Sequence, residues 1–169
     1  MTDAPPPSTA EPRAAEWDGR FLRLAREIAT WSKDQSTKVG AVIVGADRTP
    51  GPYGYNGFPR TIDDERVARH ERPVKYRWTE HAERNAIYNA ARIGVAVKGC
   101  TMYVTHLPCA DCARAIIQVG IRRVVVDGES LVDAGFIERW NEDMQITREM
   151  LEEASVTLVI ASAEPAPTL

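Results

Sequence analysis

Two short clusters, His81-Ala82-Glu83 and Pro108-Cys109-Ala110-Asp111-Cys112, constrain this chain more than any other part of it. One imidazole and two thiolates are the donors of a zinc site with three protein ligands. Such a site keeps its fourth position for water, which distinguishes a catalytic zinc from a closed structural one. Water held there ionises near a pKa of about 7 instead of ~15.7, so a nucleophile is available at neutral pH. Glu83 is not needed as a ligand and is free to move protons. Whatever the fold, it has to bring His81 and the cysteine pair to one point with Glu83 beside them.

Local spacing says how. Cys109 and Cys112 are three apart, so on a helix they share a face. Pro108 suits a first helical position, where its missing N–H costs nothing, and a helix N-terminus favours thiolate over thiol. His81 and Glu83 point to roughly opposite sides of a helix interior, about 200° apart. They serve one site only if it lies over the first turn, beyond the helix end; Thr79 and Glu80 mark a helix start there. A lone C-x-x-C also fits a redox pair or half of a structural zinc site, but these want thioredoxin-like surroundings or a second Cys/His pair. Cys100, His70 and His106 show no such paired spacing. His70 reads as a solvent-exposed side chain, and His106 as one that packs or donates to backbone.

A chain of 169 residues is one domain by length and buries a core without disulfides. No apolar run approaches ~18 residues, so no membrane span is expected. The N-terminus is Pro-rich and acidic, unlike a secretory signal. Three cysteines, two of them assigned to metal, fit a reducing cytoplasm. Cys100 precedes the apolar run Met102-Tyr103-Val104 and reads as a small core residue. The net charge of −3 argues against a nucleic-acid partner. It leaves open a small phosphorylated substrate, which needs only a few cations.

Residues 1–16, with four prolines, read as a disordered lead. Asp18 is placed to cap a helix whose apolar face is Phe21, Leu22, Ala25, Ile28 and Ala29, ending near Trp31. Val39 to Val44 reads as a buried strand, and Tyr53 to Asn56 as an edge strand after Pro50 and Pro52. Thr61 to Trp78 reads as a long loop with at most a helical turn. A helix from Glu80 to Gly94 presents Ala82, Ala86, Ala90, Ile87 and Ile93. Thr101–Thr105 is a strand, the cysteine helix runs to Gly120, and Arg122–Val126 is a strand. Asp127–Trp140 is loop with one or two turns, Asn141–Glu153 a helix, Val156–Ile160 the last strand, and 162–169 a flexible tail. An early antiparallel hairpin followed by strand–helix–strand units gives an α/β fold over residues 17–161: a three-layer α/β/α sandwich on a mixed five-stranded sheet.

Together the two clusters read H-x-E…P-C-x-x-C, which resembles the signature of the zinc-dependent nucleobase deaminases. The segments Gly54-Tyr55-Asn56-Gly57-Phe58-Pro59, His81 to Ile87, Met102 to Cys109 and Ile116 to Ile121 look like the deoxycytidylate (dCMP) deaminases of the cytidine deaminase-like superfamily. Lys33-Asp34 and Lys38 to Ala41 are similar to that branch as well. The resemblance runs from about Trp17 to Val159. It implies hydrolysis of dCMP to dUMP and ammonia, feeding thymidylate synthesis, with His81, Cys109 and Cys112 on zinc and Glu83 as proton shuttle. It implies that Asn56 hydrogen-bonds the deoxyribose, its amide being both donor and acceptor, and that backbone groups at Ala82 and Leu107 read the pyrimidine edge. Lys33, Lys38 and Arg60 are the candidates for phosphate. Many relatives carry extra Cys and His before the H-A-E segment for a second, structural zinc. Thr61 to Glu80 holds His70 but no Cys, so one zinc per chain is expected. The resemblance also implies a homo-oligomer, in many members a hexamer, with dCTP activating and dTTP inhibiting; no motif here secures either property.

Three alternatives share these residues. CMP, deoxycytidine, dCTP or a 5-substituted dCMP would use the same zinc chemistry. A deaminase of tRNA or single-stranded nucleic acid would too, but wants a basic surface and stacking aromatics. A non-enzymatic zinc-binding regulator requires Glu83 to be idle.

Overall fold

The central strands form because short β-branched runs alternate between two faces, each covered by helix. In the computed structural model, which describes residues 10–132 and 134–161, the strands are β1 (Gly40–Val44), β2 (Pro50–Tyr55), β3 (Thr101–Val104), β4 (Arg123–Asp127) and β5 (Thr157–Ala161). The helices are α1 (Ala10–Thr30), α2 (Ala82–Ile93), α3 (Ala110–Gln118) and α4 (Ala134–Glu153). The sheet order is β2-β1-β3-β4-β5. β1 pairs antiparallel with both β2 and β3, while β3, β4 and β5 run parallel. This is the expected mixed five-stranded sheet with its hairpin at one end.

Odd and even residues separate the two cores. Val42, Val44, Tyr103 and Val125 meet Phe21, Leu22, Ala25 and Ile28 of α1. Ala41, Ile43, Met102, Val104, Val124 and Val126 face the other way, against Ala82, Ala86 and Ala90 of α2, Ala113 and Ile116 of α3, and Leu151 of α4. The small residues allow close approach. A Cβ on Gly54 of β2 would lie 2.3 Å from the Ala82 carbonyl oxygen and 2.4 Å from the Ala86 nitrogen, so α2 rests directly on β2.

Several boundaries differ from the sequence reading. α1 begins at Ala10, not Asp18, so residues 10–16 are helix rather than disordered lead. Pro12 sits in the first turn, where a missing N–H breaks no bond. Asp18 is therefore no cap. It is buried inside the helix, accepting two hydrogen bonds from Arg123 (2.8 and 2.6 Å) and one from the Tyr103 hydroxyl (2.9 Å). β2 starts at Pro50 and carries both prolines; the β1–β2 register slips between Val42 and Val44, the irregularity an edge strand tolerates. Residues 61–78 contain two 3-10 turns, Val67–Arg69 and Val74–Arg77. α4 begins at Ala134, seven residues before Asn141, because Gly135 falls in the first turn and does not interrupt the helix interior. Ile93 is exposed, being the last residue of α2 before the left-handed Gly94 (φ 74°). The N-terminal residues 1–9 and the tail 162–169 lie outside the described residues. No helix among the described residues is long and apolar enough to cross a membrane.

Candidate active site

The N-termini of α2 and α3 meet beyond the carboxyl end of β3. His81 is the N-cap of α2, with extended backbone (φ −79°, ψ 154°), and Glu83 is its second helical residue. The near-opposite directions expected of them inside a helix do not arise, because the site lies off the helix end. Cys109 is the N-cap of α3 (φ −75°, ψ 169°) and Cys112 its third residue. Pro108 thus precedes the cap instead of occupying the first helical position. Both helices aim their positive ends at the cluster, where thiolate charge is favoured.

The Nδ1 atom of His81 lies 3.3 Å from Cys109 Sγ and 3.6 Å from Cys112 Sγ. The three donor atoms all fall within 4.8 Å of one another. Tetrahedral bonds of ~2.0–2.3 Å put neighbouring ligand atoms about 3.6 Å apart, so the donor set fits a zinc ion in both chemistry and span. The electrostatics agree. A hydrogen bond from Cys112, with help from His81, holds the Cys109 thiol well below the usual range. The bond to Cys109 raises the His81 imidazole. Cys112, buried and sharing its proton with Cys109, is pushed up. Beside them Glu83 is only 3 % exposed, and burial raises its carboxyl above the ordinary range, against the pull of His81.

His81, Glu83 and Cys109 line a pocket of about 800 Å³, its open mouth included. One wall is held by a buried ion pair. Lys75 donates to both oxygens of Asp34 (3.1 and 2.8 Å) and to the Ser36 hydroxyl (2.6 Å). Asp34 also accepts from the Ser36 and Thr37 N–H groups (2.8 and 3.2 Å). Burial alone would raise the Asp34 carboxyl, but Lys75 and these donors outweigh it and hold it at about 2. The folded value lies below the unfolded value of 3.8, so this contribution to stability is complete above pH ~4 and drains as pH falls toward 2. Asp34→Asn is expected to be less stable than the native chain at pH 6, with the gap narrowing between pH 4 and pH 2. Urea melts across that range check it; a constant gap removes the pair from the stability account.

Three of the expected substrate contacts line this pocket: Asn56, Ala82 and Leu107. Asn56 is buried and largely committed. Its Oδ1 accepts from the Val39 N–H (2.7 Å), and its Nδ2 donates to the Thr37 carbonyl (2.9 Å) and, at 3.5 Å, to Asp34. Only a lone pair on Oδ1 is left for a ligand. The three expected phosphate cations are elsewhere. Lys33 pairs with Asp64 at 2.9 Å, Lys38 reaches the Thr30 carbonyl at 3.5 Å, and Arg60 donates to Asn89 at 2.7 Å. Among the described residues, the Lys and Arg side chains that do line the pocket are Lys75 and Arg72. The charged loop 61–78 shows no periodicity that would single them out. Asp143 and Met144 of α4 also line it, in a stretch where no motif pointed to chemistry. His70 is half-buried rather than exposed, stacked on Phe58 with Nε2 2.7 Å from the Asp64 carbonyl oxygen. His106 joins the pocket wall with Nδ1 3.1 Å from the Thr105 hydroxyl.

A three-layer α/β/α fold with a His/Cys/Cys donor set and a buried carboxylate at two converging helix ends defines a metal-dependent hydrolase. Residues 15–127 match the family described as the cytidine and deoxycytidylate deaminase zinc-binding region. An uncharacterised deaminase of Aliivibrio fischeri is 40% identical over 142 residues, covering 84% of this chain and 91% of its own. Human deoxycytidylate deaminase is 39% identical over 124 residues, covering 70% of this chain and 68% of its own. The solved dCMP deaminase of cyanophage S-TIM5 shares the fold, with a TM-score of 0.66 at 22% identity over 86% of this chain and 97% of the other. The chain belongs to the cytidine and deoxycytidylate deaminase family, and it is a hydrolytic deaminase.

Proposed function

We propose that this enzyme converts dCMP and water to dUMP and ammonia, using one zinc ion per chain, in the cytoplasm. The carrying observation is Glu83, buried in the same pocket as His81 and Cys109, with Cys112 completing the donor set. The similarity to deoxycytidylate deaminases, 39% identical in the human case, supports dCMP as the substrate. His81, Cys109 and Cys112 hold the zinc, which when bound activates water as a nucleophile at neutral pH. Glu83 takes a proton from the attacking water and delivers it to ring N3 as the C4–O bond forms. It then moves a proton to the 4-amino group as the C4–N bond breaks. Its raised carboxyl suits both directions of transfer. The Ala82 N–H, in the first turn of α2 where no intrahelical acceptor exists, and the Leu107 backbone read the pyrimidine edge. Asn56 accepts from the sugar 3′-hydroxyl through Oδ1. Family resemblance supports a homo-oligomer and control by dCTP and dTTP as further parts of this reading.

Arg72 takes the phosphate in place of Lys33, Lys38 and Arg60. Lys75 is spent on Asp34, whereas the Arg72 side chain is exposed at the pocket wall with no ion pair among the described residues. A charge-assisted hydrogen bond contributes about 1.5–3 kcal/mol, or roughly 10–150-fold in affinity. Ammonia release from zinc-loaded protein, offered dCMP, CMP, deoxycytidine and dCTP separately, tests substrate and residue together. Native enzyme is expected to prefer dCMP. Arg72→Ala is expected to raise KM for dCMP by about that factor and to leave deoxycytidine unchanged. Equal losses on both substrates would remove Arg72 from the phosphate site, and a nucleoside preference in the native enzyme would overturn the nucleotide reading.

A further inference from the structure

The Cys109 side chain is drawn toward His81, away from the helix it begins. An N-cap side chain ordinarily turns back to accept from the first-turn N–H groups. The Cys109 sulfur instead faces His81, and it makes no capping bond to α3. α2 also begins without a cap bond from His81; there the Glu80 carboxylate just before it accepts from the His81 N–H at 3.0 Å. α3 has no neighbour in that role. Its acceptor comes from α4, where Asp143 Oδ2 accepts from the Ala110 N–H at 3.2 Å. One turn further along α4, the fully buried Thr147 hydroxyl donates to the Pro108 carbonyl at 2.9 Å. Pro108 and Ala110 flank Cys109, so α4 grips the backbone on both sides of that residue. Both gripping residues lie beyond the 15–127 region that matches the family.

We propose that Asp143 and Thr147 are positioning residues that fix Cys109 for metal, so that α4 completes the metal centre without contributing a ligand. The proposal rests on His81, Cys109 and Cys112 being the ligands. Ligand geometry tolerates only about ±0.2 Å, and outer partners that orient ligands typically change metal affinity 10–100-fold when removed. What Asp143 supplies here is an acceptor oxygen. A neutral amide therefore replaces it, and its negative charge near two thiolates is not the useful part.

The test is zinc competition between full-length holoprotein and a chromogenic chelator, with melting of the metal-free protein measured in parallel. Asp143→Ala and Thr147→Val are expected to weaken zinc about 10–100-fold. Asp143→Asn and Thr147→Ser, which keep the acceptor and the hydroxyl, stay within about threefold of native. Cobalt-loaded Asp143→Ala is expected to show an altered visible spectrum, which a cap serving only helix stability would not produce. The double variant Asp143→Ala/Thr147→Val loses less than the product of the single losses, because both act on one residue. Native-like zinc competition in Asp143→Ala and in Thr147→Val, with lowered metal-free melting alone, overturns the positioning role. Native protein that holds no zinc overturns the ligand assignment beneath it.

Discussion

Glu83→Gln retains zinc and loses turnover. The amide keeps the size of the carboxylate but neither accepts nor returns a proton at N3 or at the leaving amine. General acid–base catalysis contributes about 10²–10⁴-fold, so kcat for dCMP is expected to fall by at least the lower figure, with KM little changed. The proposed metal donors are other side chains, so zinc content is expected to match that of the native enzyme. Burial also favours the neutral side chain, because the native carboxyl is already held up by desolvation; thermal stability should be equal or higher. Ammonia release, metal analysis and a melt on one preparation decide it. A zinc-bound Glu83→Gln enzyme within tenfold of native activity would sink the proton-shuttle role.

Gly54→Ala attacks the same centre from behind. The added methyl would sit 2.3 and 2.4 Å from backbone atoms of α2, and backbone cannot rotate out of the way as a side chain can. Either β2 leaves the sheet edge or α2 lifts, carrying His81 and Glu83 with it. Overpacking typically costs about 1–3 kcal/mol, occasionally more, and three backbone collisions, the third with the Asn85 carbonyl carbon at 2.8 Å, place this substitution at or above the upper end. Zinc affinity should fall along with stability, since α2 bears one proposed ligand and α3 the other two. Gly57→Ala is the control. Its Cβ would meet nothing closer than the Tyr55 ring at 3.7 Å, and the Gly57–Glu80 backbone bridge survives it. Urea denaturation with metal analysis separates the two; a Gly54→Ala protein as stable as Gly57→Ala would mean that α2 does not depend on this contact.

The centre was legible because its chemistry is written in residue types at fixed spacing. His81, Glu83, Cys109 and Cys112 are rare or charged residues beside helix-start signals, and the apolar runs of β1, β3 and β4 show which elements carry them. The pocket walls were harder to read. Lys33 and Arg60 look like phosphate ligands in the sequence because nothing there reveals their partners, Asp64 and Asn89, which lie about thirty residues away along the chain. Lys75 and Arg72 come from a loop without periodicity, and only tertiary contact shows that Lys75 is paired with Asp34. Asn56 reads as a versatile amide until Val39 and Thr37 claim most of it. Asp18 failed for a related reason. Local rules make Asp a cap, and the competing claim came from Arg123, across the sheet.

The location of the donors at helix ends has a consequence for the metal-free protein. His81 and the cysteines terminate α2 and α3, while both apolar clusters sit against the sheet. An ion held there cross-links chain 28 to 31 residues apart. By loop-closure entropy alone that constraint is an increment of about 3–4 kcal/mol, added to a core already assembled from the five strands and four helices. Small zinc domains depend on their ion to fold at all. Here the core is assembled without the ion, so the metal-free protein is expected to stay folded, which circular dichroism of chelator-treated protein checks.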